Sequence, residues 1–423
     1  MEPRPKSGLP HHNVSSYRWV PVGLWMFCSV SGFMIVSTIG LMMPAISVDL
    51  DLSPSQQGIL ASAAFWGNLT LALPLSWWTS RYGPRMLTTV TLILATIFLF
   101  IQGWAPVFVV LLVGRLGFGI AVIAREPARA LLTQQWFLPK EFVLVNSVSN
   151  LTYGLVVGGG LIGTPFLLAA LGDDWRTTLN IFGAFYAVLL ALWILLGRER
   201  PYSNTEQAQV PRDTNIIRSV LAYRDLWIVG VGYVGASLAS SAYLVFFPTL
   251  LLEEYKIALQ WSGAILALST FVGGVAGFGI GYLVMIRGHG KVFLRVLGIL
   301  MAATYAGMTL TESIPVLFAL SLMNGIAWGF WPLLYTVPFH LPGIRPRQVA
   351  ISLAFVMSAI SLGIVSGPLI VGFLQEGIGS LKVALLIVSF TPVSLTAAGI
   401  LLRTSYGGAA SEYGETHAEV TQS

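Results

Sequence analysis

Apolar residues in this chain come in long unbroken runs, set apart by short polar turns. A helix that crosses a bilayer needs about 20 residues of that kind. Twelve runs reach that length, at roughly 19–48, 56–78, 86–104, 107–137, 143–171, 178–197, 226–251, 260–286, 292–311, 314–339, 349–375 and 381–402. Several turns carry Gly, Pro and Arg together, as in Arg81-Tyr82-Gly83-Pro84-Arg85 and Leu341-Pro342-Gly343-Ile344-Arg345-Pro346-Arg347. The pattern predicts an all-α membrane protein with twelve transmembrane helices.

The fourth run breaks the apolar rule, because it also holds Arg115, Arg125, Glu126 and Arg129. A charge near the centre of a bilayer costs at least about 2.5–3.5 kcal/mol on insertion scales. On a straight helix each residue turns by about 100°. With Arg115 at zero, Glu126 falls at about +20°, Arg129 at about −40° and Arg125 at about −80°. All four therefore share a sector that turns away from lipid. Glu126 and Arg129 are also at i,i+3, where side chains meet. The helical rise separates Arg115 from Glu126 by roughly 16 Å. Arg115 is thus expected near the midplane, and the other three deeper, toward the cytoplasm. Pro127, Pro332 and Pro338 fall inside expected helices, where each removes a backbone donor and favours a kink.

Composition narrows the class. Hydrophobic residues make up 55% of the 423 positions and charged residues only 10%, against about 25% in a soluble domain. The bilayer is the expected solvent. The net charge of +5 does not point to nucleic acid, because the basic residues sit in short loops between apolar runs. One cysteine, Cys28, excludes an internal disulfide and a cysteine metal cluster; it suits apolar packing. With the first residues inside, the loops on the far side hold only Arg176, Lys256 and Lys382. That satisfies the positive-inside rule and expects both termini in the cytoplasm of a cell-membrane protein. Residues 1–17 are polar, with Pro3, Pro5 and Pro10, and do not form a cleavable signal.

Internal repeats divide the chain. Gly58-Ile59-Leu60-Ala61 echoes Gly263-Ala264-Ile265-Leu266-Ala267. Arg81-Tyr82-Gly83-Pro84-Arg85 echoes Arg287-Gly288-His289-Gly290-Lys291, and Gly158 with Gly163 to Pro165 echoes Gly363 with Gly367-Pro368. These repeats predict two pseudo-symmetric six-helix halves, 19–197 and 226–402. An N-terminal tail (1–18), a linker (198–225) and a C-terminal tail (403–423) flank them. Parallel halves place a substrate site between them near the midplane.

Further motifs lie at Ser76 to Arg85, at Arg115-x-Gly117-x-Gly119-x-Ala121 with Pro127, at Trp136 to Glu141 and at Asp174 to Arg176. On these residues and the repeat, the chain resembles the major facilitator superfamily over nearly its full length. The first window is similar to that family's Gly-x-Leu-Ala-Asp-Arg-x-Gly-Arg-Arg: Arg81, Gly83 and Arg85 match, while Ser76 and Ser80 replace its Gly and Asp. The resemblance implies a secondary transporter that works by alternating access, with Arg115 in a central role. The family's exporters often carry Gly-Pro within spaced glycines in span five. Here Gly154, Gly158, Gly159, Gly160 and Gly163 lead to Thr164-Pro165, so that pair is broken.

The candidate substrate-binding residues are Arg115, Asn324, Trp328, Tyr335, Tyr243 and Asn150. Ser37, Asn68, Asn146, Tyr153, Tyr233, Ser240, Ser241 and Trp331 are further polar or aromatic groups at membrane depth. Candidate coupling or gating residues are Glu126, Arg125, Arg129, Arg81 and Arg85. Three readings of the fourth-span cluster stay open: a substrate and proton site, a cytoplasmic gate, or a polar network that only joins helices. As a gate, Arg125, Glu126 and Arg129 would pair with the Arg81–Arg85 turn or with each other when the carrier closes toward the cytoplasm, since Ser80 leaves that turn without its acid. No buried nucleophile with a base and no phosphate-binding Gly-Lys-Ser/Thr loop is present, so neither an enzyme nor an ATP-driven pump is expected. The leading expectation is proton-linked uptake of a small organic anion by a monomer that needs no cofactor or metal. An efflux antiporter for amphipathic compounds is the alternative, and a non-transporting receptor is a further one.

Overall fold

The computed structural model describes residues 16–79, 82–138, 141–199, 214–344 and 346–403, and all its regular elements are helices. Each expected run is one span. The first is Trp19–Ser37 followed by Ile39–Asp49, the second Pro54–Thr79 and the third Pro84–Gly103. The fourth is Phe108–Ala124 followed by Pro127–Trp136, the fifth Phe142–Ala170 and the sixth Trp175–Leu196. A short linker helix, Thr214–Leu221, leads to the seventh span, Arg224–Glu253. The eighth is Leu259–Arg287, the ninth Gly290–Leu310 and the eleventh Pro346–Ile378. The tenth runs from Ile314 to His340 in four short pieces, and the twelfth is Leu381–Ser389 with Val393–Leu401. Ten helical segments among the described residues are long and apolar enough to cross a membrane. The second span and the two-piece fourth complete the twelve.

Proline explains two of the breaks. Pro127 cannot donate to Ile123, so the preceding Glu126 N–H takes that carbonyl at 3.0 Å and the helix restarts. Pro332 and Pro338 open new pieces of span ten. The straight helix used to compare the fourth-span charges is therefore corrected to two segments. At the opposite end of span six, Asp174 caps the helix by accepting from the Arg176 and Thr177 backbone N–H groups. The Thr177 hydroxyl, more than those amides, holds its carboxyl below the usual range. This cap is fully present above the unfolded-state pKa and is lost as pH falls through the lower folded one.

The two halves meet along spans two and eleven, five and eight, and one and seven. Their closest approaches lie at the end away from the linker. A Cβ on Gly58 would stand 2.4 Å from the Pro368 carbonyl, and one on Gly263 would stand 2.2 Å from the Leu161 carbonyl. These two glycines are the repeat partners noted above, so the same motif makes both seams. At Gly40 the first span presses on the Leu244 carbonyl, 2.3 Å from an added Cβ. Only glycine lets backbones come this close. By contrast, Gly83, Gly197, Gly230 and Gly281, near the linker end, meet atoms of their own half. The molecule is closed at the far end.

A carboxylate clasps that closed end. Glu376, at the end of span eleven, accepts from the Ser55 N–H at 3.2 Å. Ser55 is in the first turn of span two, where helical N–H groups lack internal partners and the dipole favours an anion. Nearby, Asp49 accepts from Arg176 at 2.5 Å, which ties span one to span six. Losing a cap typically costs about 1 kcal/mol. Glu376→Ala should therefore open this end several-fold more often. A cysteine placed at Ser237, in the cavity wall described below, should then react faster with a maleimide added from that side. Cys28 is buried and gives no background. An unchanged rate would rule the clasp out.

Candidate functional site

A cavity of about 250 Å³ lies between the halves. Span one supplies Phe33, Val36 and Ser37, and span two supplies Ala61 and Phe65. Span five adds Tyr153. The second half contributes Ser237, Ser240, Ser241, Leu244 and Val245 from span seven, the two indoles Trp328 and Trp331, and apolar Ile360, Ile364 and Pro368. The lining is aromatic and hydroxylated, and carries no charge. Tyr233 fixes Trp331 by donating to its carbonyl at 2.7 Å, and the Trp328 and Trp331 rings stand 6.0 Å apart. Ser237 is 2% exposed and its hydroxyl has no hydrogen-bond partner within the protein. A buried hydroxyl left unmade is costly, so this one is available to a ligand or a water.

None of the fourth-span charges lines this cavity, and Arg115 lies behind its wall. Arg115 is 0% exposed and donates through Nη2 to the Val36 carbonyl at 2.8 Å. Its Nε and Nη1 find no partner. Arg125 is also fully buried; its guanidinium carbon sits 5.8 Å from the Tyr186 ring centre. The Tyr186 hydroxyl in turn donates to the Cys28 carbonyl at 2.9 Å. Glu126 accepts from Ser29 at 2.5 Å, and Arg129 donates to Asn146 at 2.9 Å. The ion pairs among the described residues are Arg18–Glu141 and Arg176–Asp49. The pairing expected of Arg125, Glu126 and Arg129 belongs to a carrier closed at the linker end; with the far end closed, no ion pair joins them among the described residues. Arg85 meets a different acid: its backbone N–H donates to Glu199 at 3.1 Å, and its side chain reaches the Ile194 carbonyl. Arg81 lies outside the described residues.

The other expected residues divide. Trp328 lines the cavity, as do Ser37, Tyr153, Ser240, Ser241 and Trp331. Asn324 is turned inside the second half, between Ser269 and Thr304, each at 3.0 Å. Tyr243 is buried there as well, bonded to the Tyr305 carbonyl at 2.8 Å and to the Thr309 hydroxyl. Tyr335 is half-buried and Asn150 exposed, and neither is part of the cavity wall.

A model of the Major Facilitator Superfamily matches residues 25–368. This chain belongs to that superfamily. Among its relatives, the probable galactarate/D-glucarate transporter GarP of Escherichia coli (strain K12) is 24% identical, over 83% of this chain and 87% of its own. The probable L-galactonate transporter of the same organism is 23% identical, over 94% and 92%. The probable nitrate transporter NarT of Staphylococcus epidermidis is 27% identical, over 59% and 64%. Among solved structures, the nucleoside transporter NupG aligns with a TM-score of 0.74 at 12% identity, over 91% of this chain and 98% of that one. A bacterial homologue of the human lysosomal transporter Spinster, inward-facing and unoccupied, gives 0.72 at 18%, over 91% and 95%. These likenesses establish the facilitator fold, and the relatives are transporters rather than enzymes.

Within this facilitator, sequence reasoning missed Phe33, Phe65 and Ser237. The signal for Ser237 was present: Ser237, Ser240, Ser241 and Leu244 follow the i, i+3, i+4, i+7 spacing of one helical face. Two substitutions separate site from scaffold. Tyr243→Phe strips a buried network of its donor and should lower stability by about 1–3 kcal/mol, with ligand affinity unchanged. Ser237→Ala removes a hydroxyl without an internal partner, so it should leave stability intact and weaken binding. Unfolding curves together with ligand-induced melting shifts check both.

Proposed function

We propose that this facilitator takes up a small organic anion together with protons, with Arg115 as the electrostatic anchor. The supporting observation is Arg115 itself: a buried guanidinium bonded to Val36 of the cavity wall, with two nitrogens, Nε and Nη1, unused. Guanidinium grips carboxylates and similar planar oxyanions through two parallel hydrogen bonds. Relatives named for sugar acids and for nitrate agree with such a cargo. Glu126, held by the Ser29 hydroxyl, is the proton-coupling group in this reading. With the basic loops inside, the linker end is cytoplasmic and the closed end external. The cavity's neutral, aromatic lining favours a second reading, export of amphipathic compounds.

Uptake of radiolabelled D-glucarate, L-galactonate and nitrate into proteoliposomes separates the two. The anion reading expects accumulation driven by an inward proton gradient. It also expects loss of uptake in Arg115→Ala, and loss of gradient-driven accumulation with residual exchange in Glu126→Gln. Full accumulation by Glu126→Gln would remove that residue's coupling role. Unchanged uptake by Arg115→Ala would remove the anchor. Drug resistance on overexpression, without anion uptake, would select the export reading.

A further inference from the structure

The geometry assigns to span one the role of a movable mask over Arg115, an inference that rests on the anion reading above. Arg115 meets the span through one bond only, to the Val36 carbonyl at 2.8 Å. Val36 and its neighbour Ser37 line the cavity. The first span therefore stands between the guanidinium and the space a substrate would occupy. As long as it does, Nε and Nη1 have neither a protein acceptor nor access to a ligand.

The mask is jointed beside that carbonyl. The inner helix ends at Ser37 and the outer one begins at Ile39, with Thr38 between them. The inner piece is fastened to its own half. Arg18, just before it, pairs with Glu141; Ser29 donates to Glu126; and the Cys28 carbonyl accepts from Tyr186. The outer piece is gripped by the other half, where Gly40 lies against the backbone of Leu244 and Val245. One span is thus held by both halves, on either side of a joint. When the halves part at the closed end, the grip on Gly40 is released and the joint must take up the change. The Val36 carbonyl is the atom next to it that Arg115 uses.

Masking makes anion affinity differ between the carrier's two states. A ligand shifts a conformational equilibrium only through different affinity for the two states. With the far end closed, Arg115 is occupied by the protein and anion affinity is low. With that end open, the guanidinium is free to make a paired contact with a planar oxyanion, a carboxylate or nitrate. Binding is then tight from the far side and weak on the linker side, while the proton gradient of the proposed function drives net transport.

The test reads Arg115 directly. Gly58→Trp wedges span two away from the Pro368 carbonyl and holds the far end open without touching span one; Gly263→Trp does the same through span five and serves if the first variant fails to fold. Full-length protein in proteoliposomes is treated with phenylglyoxal, and modification of Arg115 is followed by peptide mass spectrometry. Modification should be several-fold faster in the Trp variant than in wild type. Equal rates, or protection in both, overturn the mask. D-glucarate and nitrate, each added separately, should slow modification in the Trp variant and identify which oxyanion is accepted. If the mask is seen but neither anion protects, the mask stands and the anion reading falls.

Discussion

A guanidinium stays protonated and needs oxygen acceptors around it, and hydrocarbon supplies none. Span four carries three such groups, so the first half has to wrap around them. Arg115 takes a backbone carbonyl of span one, Arg125 lies against the ring of Tyr186 on span six, and Arg129 takes Asn146 of span five. Spans one, four, five and six are therefore held together by the need to shield cations. The shielding is incomplete, since Arg115 and Arg125 both keep N–H groups without partners. On the proposed function, an anion completes the coordination of Arg115 for part of the cycle.

The second half is stabilised differently. Among the described residues it buries no charge at membrane depth, and several of its polar groups satisfy one another: Tyr243 with Tyr305 and Thr309, Asn324 with Ser269 and Thr304, Tyr233 with Trp331. Its face to the cavity is made of hydroxyls and indoles. One half thus offers charge behind a thin wall, and the other offers stacking and neutral hydrogen bonds. Glycine seams join the two at a single end. Gly58 and Gly263 occupy equivalent repeat positions, so the closure follows the pseudo-symmetry of the fold, while the Glu376–Ser55 clasp is an added contact at one of the seams.

Runs of apolar residues by themselves determined the number, order and limits of the spans, because hydrocarbon thickness sets a length that a sequence either meets or does not. The repeats likewise pointed to the halves, and Pro127, Pro332 and Pro338 marked breaks in spans four and ten. Trp328 and Trp331 were legible as candidate cavity groups because indoles at membrane depth stand out, and both line the cavity. What only the tertiary structure decided is which way side chains turn once helices pack. Tyr243 and Ser240 both sit on span seven, yet one is locked inside the second half and the other faces the cavity. Asn324 found partners within its own half. The Arg85 side chain reaches the Ile194 carbonyl, more than a hundred positions away. Such choices depend on crossing angles and on the break at Pro127. A helical wheel drawn on a straight span carries neither, and neither does it show that a backbone carbonyl of span one covers Arg115.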